Sequence, residues 1–281
     1  MRVKTLIAAL ALVMAVGSFA QAKGWRKVRI ATEGAYAPWN ATDASGKLVG
    51  FEIDLANDLC KRMTVECEFV AQDWDGIIPA LQQGKYDAIL AGMSITDERL
   101  QVIDFAGPYA AEPAVFATLK GSLLFTMVFP VDRVDLDAET PAGRQAIEAM
   151  KVALRGKVVG VQISTAQARL METQWPEVRV ATYDKADAAV LDLAAGRIEA
   201  LLANRSAVEA INKAGAKDDE LVLFGPEFTR GVLGRGVGVG VRKQDADLKA
   251  MLDKAIREAV EDGTIAELSN QHIGFDVSPH R

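Results

Sequence analysis

Ala91-Gly92-Met93-Ser94-Ile95-Thr96-Asp97-Glu98-Arg99 is the stretch around which the chain is organised. It follows a strand-like run, Tyr86 to Leu90, and precedes a helix-like run that continues through Leu100, Val102 and Ile103. Thr96 reads as an N-cap. Asp97 and Glu98 fall in the first turn, where acidic residues complement the helix dipole. Ser94 and Arg99 flank that strand-to-helix turn. A hydroxyl, backbone N–H groups and a guanidinium converging there suit a carboxylate, which Arg grips through both oxygens. An ordinary helix start with a surface Arg has the same letters, so the other strand ends must decide.

Upstream, Val28 to Thr32 reads as a strand that runs into the Gly- and Pro-containing loop Glu33-Gly34-Ala35-Tyr36-Ala37-Pro38-Trp39. Glu33 ends that strand, and strand ends are where open α/β sheets bind ligands. Gly50-Phe51-Glu52-Ile53-Asp54-Leu55 opens a helix to Met63, with an apolar stripe of Phe51, Leu55 and Leu59. A strand at 65–70 follows, then Trp74 in the loop before a helix carrying Ile77, Ile78, Ala80 and Leu81. Trp74 serves either as a core anchor or as an aromatic wall. This βαβαβ order predicts a parallel sheet.

Downstream, 105–119 is strand material and 120–144 an irregular insertion, with a helix from Gln145 to Leu154. A second α/β pattern starts at Lys157. Ser164 and Thr165 occupy a strand-to-helix turn like that at Ser94, and helix capping alone needs the same residue types. Ile198 to Ala203 is a strand ending at Asn204, on the same sheet edge as Thr165 if both strands are parallel. The alternating glycines of 231–241 are not a dinucleotide fingerprint, since they lead into a strand instead of opening a helix; they read as a flexible connection. Ala246 to Glu261 and Gly263 to His272 are helical. No histidine accompanies a Ser or Cys nucleophile, so triad chemistry has no support.

The 281 residues suffice for one large domain or two medium ones, and 50% hydrophobic with 25% charged residues is a globular composition. Residues 1–22 read as a secretory signal. Arg2 and Lys4 precede an apolar core from Leu6 to Val16, and cleavage falls after Ala22 or after Ala20. Losing the two basic residues takes the net charge from −6 to −8, a poor balance for nucleic acid or an anionic membrane surface. The mature chain is expected to be exported and soluble. Its two cysteines, Cys60 and Cys67, are expected to bridge in an oxidising compartment, two buried thiols being the alternative. Neither they nor His272 and His280 have metal-ligand spacing, so no metal and no cofactor is expected.

These phrases, together with Trp74-Asp75-Gly76-Ile77-Ile78-Pro79, Asp192-Leu193-Ala194-Ala195-Gly196-Arg197 and Asp262-Gly263-Thr264, resemble the polar amino-acid-binding proteins of bacterial ABC importers (solute-binding family 3). The lysine/arginine/ornithine branch, which bridges the paired cysteines, resembles the chain closely. The octopine/nopaline branch resembles it more closely still, in Ala31-Thr32-Glu33-Gly34, the insertion before 150, and Leu202-Ala203-Asn204.

The resemblance implies an α/β, two-lobed type II periplasmic binding fold. Each lobe would be a mixed, mostly parallel sheet flanked by helices, and two crossing strands would join them. Lobe 1 would comprise 23–113 and 238–281, lobe 2 114–229, and 230–237 the return hinge. Arg99 would hold a ligand α-carboxylate, assisted by Ser94 and the backbone at Gly92, with Thr165 and Ser164 reaching it from the other lobe. Tyr36 and Trp74 would sandwich the ligand side chain, and Glu33 would pair with its distal cation. Amino-acid binders usually place an Asp where this chain has Asn204, and that Asp holds the α-ammonium. A neutral amide there suits an opine, with its secondary amine and added carboxylate. Small Ala91 and Gly92 leave room for a bulkier ligand, and Ala166 offers mostly its backbone N–H. The resemblance thus implies a monomeric periplasmic binder of an opine or a cationic amino acid, serving an ABC permease and ATPase at the inner membrane. The alternatives are a plain lysine-, arginine-, ornithine- or histidine-binder, a periplasmic dehydratase-like enzyme with Glu33 as its acid–base group, and a sensory ligand-binding module.

Overall fold

The computed structural model describes residues 24–214 and 221–279; the leader and His280 lie outside them. Two mixed sheets carry the molecule. The first contains β1 (Lys27–Thr32), β5 (Glu66–Ala71), β6 (Ala88–Ile89), β7 (Asp104–Ala110) and β14 (Val237–Val241), in the order β5-β1-β6-β14-β7. The β5, β1 and β6 strands run parallel, and β14 is antiparallel to both its neighbours. The second contains β8 (Ala114–Leu119), β9 (Arg133–Asp135), β10 (Val158–Gln162), β11 (Arg179–Tyr183), β12 (Ala200–Asn204) and β13 (Leu221–Thr229), in the order β11-β10-β12-β8-β13-β9. A small three-stranded sheet, β2 (Ala35–Tyr36), β3 (Asn40–Thr42) and β4 (Leu48–Val49), follows β1 in the chain. The chain leaves the first sheet after Ala110, enters the second at Ala114, leaves it after Thr229 and returns at Val237. Two crossings therefore join two lobes.

Helices cover the sheets where apolar periodicity demands it. The Phe51, Leu55 and Leu59 stripe of α1 (Phe51–Met63) is buried, together with Leu248, Leu252 and Ile256 of α8 (Ala246–Glu261) and Ile265 of α9 (Thr264–His272). Another cluster gathers Trp74, Tyr86 and Ile103 with Ile77 and Leu81 of α2 (Ile77–Gln82). The second lobe is centred on Phe116, Trp175 and Phe228, whose rings meet edge-to-face at 5.5–6.0 Å. Such pairs add about 1 kcal/mol each beyond their buried area.

Four elements differ from the sequence expectation. The helix expected to run through Ile103 is a single turn, α3 (Asp97–Leu100). Thr96 caps it as expected, accepting from the Arg99 N–H. Val102, however, is 46% exposed and Ile103 fully buried, because the chain is already turning into β7. Residues 145–154 belong to a longer helix, α4 (Pro141–Ala153), with Thr140 as N-cap. Pro141 starts it, since its missing N–H is an orphan in a first turn anyway. The glycine run 231–241, expected as a loose connection, is packed. The Ser94–Val237 bridge and the bonds Ile95 N–H to Gly236 and Gly238 N–H to Met93 lay it against the 91–99 stretch. A Cβ at Gly238 would stand 2.8 Å from the Ile95 side chain and 2.9 Å from the Ala106 carbonyl. A helix missed in the sequence, α7 (Arg205–Ala214), follows β12 directly.

Cys60 and Cys67 form a disulfide with Cα atoms 6.1 Å apart, pinning the end of α1 to β5. Their sequence separation is 7, so loop-closure entropy amounts to about 2 kcal/mol. The Cys60→Ser/Cys67→Ser double variant is expected to lose about that much in a denaturant melt at unchanged slope. An unmoved midpoint would show that the bridge contributes no net stability. Among the described residues no helix is long and apolar enough to cross a membrane, and no cluster of His, Cys, Asp and Glu could hold a metal ion.

Candidate ligand-binding cleft

The strand ends of both lobes face each other across one cavity. Glu33, Tyr36, Trp74, Ala91, Gly92, Ser94, Arg99, Thr165 and Asn204 line it. Of the expected site residues, only Ser164 does not. It occupies the left-handed region at φ 59°, which turns its carbonyl towards the first lobe. That carbonyl accepts from Arg99 Nη2 (3.2 Å) and Trp74 Nε1 (3.3 Å), while its hydroxyl donates to Asp75 (2.6 Å). Ser164 thus links the lobes without lining the cavity.

Arg99 is 9% exposed, and its guanidinium donates to the carbonyls of Ser94 (2.9 Å) and Ser164. It lies over the Trp74 ring at 5.2 Å from the centroid, a cation–π distance. Burial lowers its pKa to about 10, so it remains charged at neutral pH. Among the described residues no carboxylate pairs with it, and a buried cation held only by carbonyls is complementary to an anion.

Glu33 is the cavity's opposite charge. It is 8% exposed, and burial pushes its pKa up to about 7 against the lowering effects of a Gln162 hydrogen bond and of Lys185. Gln162 Nε2 donates to Glu33 from the other lobe at 2.8 Å. Asn204 contributes a neutral amide, whose Oδ1 accepts from Gln167 Nε2 at 2.5 Å. Burial, with nearby Glu112, Glu33 and Glu52, pushes the Tyr36 pKa well above its ordinary value, so the ring stays neutral.

Several expected donors are already engaged. The Gly92 N–H donates to Glu52 (2.6 Å) and not towards the cavity, so backbone help there is limited to a carbonyl, which suits an ammonium better than a carboxylate. Glu52 also accepts from Asn40 Nδ2 (2.6 Å) and from the Tyr109 hydroxyl. Asn40 Oδ1 in turn accepts from the Gly34 N–H (2.7 Å). One buried carboxylate therefore fixes both ligand-facing turns of the first lobe. The Thr165 hydroxyl donates to the Gln162 carbonyl (2.7 Å) and caps α5 (Ala166–Gln174) by accepting from Ala168 (3.1 Å).

Gln162, Gln167, Ala186, Leu201, Leu202 and Ala203 line the cavity without having been singled out in the sequence. Gln162 ends β10 as Asn204 ends β12, so the strand-end rule reaches it. Gln167 lies one helical turn beyond Ser164, and no local signal aims it at Asn204.

Residues 28–275 match the family described as bacterial extracellular solute-binding proteins, family 3. The octopine-binding periplasmic protein of Rhizobium meliloti is 40% identical over the full length of both chains. The lysine/arginine/ornithine-binding periplasmic protein of Escherichia coli (strain K12) is 39% identical over 89% of this chain and 88% of its own. Among solved structures, an ancestral arginine-binding protein bound to arginine superposes with a TM-score of 0.72 at 30% identity, over 88% of this chain and 98% of that one. These relatives are binding proteins by name, and the first two are periplasmic.

Proposed function

The chain belongs to family 3 of the bacterial extracellular solute-binding proteins, and we propose that it captures an arginine-derived opine of the octopine or nopaline type in its interlobe cleft. It releases that ligand to an ABC permease and ATPase at the inner membrane. It works in the periplasm as a monomer, after removal of a leader at 1–22. A cationic amino acid is the neighbouring possibility for the same pocket. The moving bodies are 23–113 with 238–281 against 114–229, and 230–237 is the return hinge.

One observation carries this reading: a buried guanidinium and a buried carboxyl face one cavity, with a neutral amide, Asn204, between the two lobes' polar groups. Arg99 holds a carboxylate, with Ser94 and Thr165 beside it. Tyr36 and Trp74 flank the aliphatic and guanidinium portion, and Glu33 pairs with the distal cation. Asn204 meets a substituted amine and its extra carboxylate without adding a like charge. Ala91 and Gly92 leave the width that such a ligand needs. Closure around the ligand makes the two-state signal that a permease reads.

A thermal-shift and calorimetry screen of octopine, nopaline, arginine, ornithine, lysine and histidine tests it. The best ligand at a hundred times its Kd should stabilise the fold by about 2.7 kcal/mol. Octopine is expected to lead, and silence from all six sinks the assignment.

Glu33 makes binding pH-dependent. Its folded pKa is about 7, and a cationic ligand group requires the ionised form. As pH falls through 7 a proton must be lost on binding, so affinity falls, approaching about tenfold per pH unit well below 7. Above about pH 8 the dependence should vanish. Calorimetry in buffers of different ionisation enthalpy should show proton release near pH 7, and Glu33→Gln should remove it.

The same carboxyl favours one rival. A group titrating near 7 in a closed cavity is suited to general acid–base chemistry, as a dehydratase on this fold would need. Incubation with prephenate-like acids is expected to give no turnover, and product formation lost in Glu33→Gln would reverse the assignment.

A further inference from the structure

Two indole N–H groups of the first lobe donate to the second lobe, and their surroundings differ. Trp74 Nε1 reaches the carbonyl of Ser164 in a half-buried bond, and the Ser164 hydroxyl donates to Asp75 in an exposed one. Trp39 Nε1 reaches Ser206 Oγ at 2.7 Å, with Trp39 0% and Ser206 1% exposed. Ser206 Oγ donates onward to Glu112 (2.9 Å), and the Ser206 N–H donates to the other oxygen of the same carboxylate. Glu112 lies in the first crossing between the sheets, and Arg205 N–H at the start of α7 donates to the adjacent Pro113 carbonyl (3.3 Å). A crossing segment therefore caps the helix that begins directly after Asn204.

The Trp39 side of this contact is equally anchored. The Pro38 and Trp39 carbonyls accept from the first N–H groups of α1, at 3.1 and 2.8 Å. Gly50 permits that approach at φ 121°, since a Cβ there would stand 2.6 Å from the Trp39 carbonyl oxygen. The Trp39 ring also meets Phe51 edge-on at 5.4 Å. Tyr36 on the same loop lines the cavity together with Asn204. A buried hydrogen bond and a shared cavity wall thus join residues 36–39 to residues 204–206.

We propose that Ser206 is a positioning residue of the cleft: the Trp39–Ser206–Glu112 relay stays closed while the lobes part at Ser164, and so keeps Asn204 preset against Tyr36. Separating Trp39 from Ser206 would leave the indole N–H buried without a partner, bearing its full desolvation penalty, while Ser206 keeps both its bonds to Glu112. The Ser164 and Asp75 groups go into water when they separate and lose little. Opening therefore proceeds by breaking the exposed and half-buried contacts at Ser164 and pivoting about the fully buried one at Ser206. This inference rests on the cleft being the binding site, though its first test needs no ligand.

That test is indole N–H exchange in the ¹⁵N-labelled wild type with nothing added. The Trp74 proton is expected to exchange at least about a hundredfold faster than the Trp39 proton, because it is freed by opening and not by unfolding. Equal rates overturn the relay as a pivot. In Ser206→Ala, Trp39 exchange should rise towards that of Trp74. Octopine and arginine should each bind about tenfold more weakly with unchanged rank order, and Ser206→Thr should recover binding to within about threefold. Wild-type affinity in Ser206→Ala, or a changed rank order, overturns the positioning role. If neither compound binds the wild type, the ligand assignment fails, while the exchange comparison still decides the relay.

Discussion

Arg99→Ala should weaken ligand binding by about three orders of magnitude while leaving the fold intact. Truncating one partner of a buried, hydrogen-bonded charge pair costs about 2–5 kcal/mol, and much of that is the penalty of a buried charge left alone. In the free protein the variant loses a guanidinium that is paired with no carboxylate among the described residues and bonded to two carbonyls. Its unfolding free energy should therefore change far less than its affinity. Arg99→Lys keeps the charge but not the planar fork that reaches the Ser94 and Ser164 carbonyls together, so it should recover only part of the loss. Titration calorimetry decides, with circular dichroism as the folding control. Near-normal affinity in Arg99→Ala would remove the carboxylate clamp from this site.

Asn204→Asp should invert the ligand preference. Asn204 Oδ1 accepts from Gln167, and an Asp oxygen accepts there equally well, so the substitution is locally tolerated. It adds a negative charge at a buried strand end. A plain α-ammonium gains a charge-assisted partner, whereas an opine's second carboxylate meets a like charge. We expect arginine to gain and octopine to lose about tenfold or more each, moving their affinity ratio by at least about a hundredfold. Paired titrations of wild type and variant measure that ratio directly. An unchanged ratio means that Asn204 does not set the choice between them, and the opine assignment then loses its main support.

The two substitutions probe different properties of one pocket. Arg99 supplies affinity through a desolvated charge, and Asn204 supplies choice by withholding one. Glu33 sets the pH at which the pocket accepts a cation. Beneath them, Glu52 ties Gly92 and, through Asn40, Gly34 to the Tyr109 hydroxyl on β7. The turns that present Glu33 and Ala91 are consequently held by a buried group that touches no part of the cavity.

Much of this was legible in the amino-acid order because its causes are local. Apolar spacing in 51–59 and 246–260 marks helices that cover a sheet. Thr96 and Thr165 announce helix starts, and both cap them through the N–H three residues on. Alternation of strand and helix placed Glu33, Ala91 and Asn204 at strand ends, and those ends line the cavity. Local pattern failed where distant packing decided. The helix after Thr96 stops after one turn because Ile103 is buried while Val102 is not, and the 231–241 glycines serve a close approach to Ile95.

The sequence by itself therefore determined the two α/β patterns and placed Glu33, Thr165 and Asn204 at strand ends that line the cleft, since periodicity and strand-end position depend on near neighbours; the two-lobed clamp was implied by the family resemblance. Only the tertiary structure decided which polar atoms are already spent. Gly92 is engaged by Glu52, forty positions away, and Ser164 is turned onto Arg99 and Trp74 at separations of 65 and 90 residues. Ser206 is engaged by Trp39 at a separation of 167. A hydrogen bond is satisfied by whichever group the fold brings within 3 Å or so, and no local pattern specifies that partner.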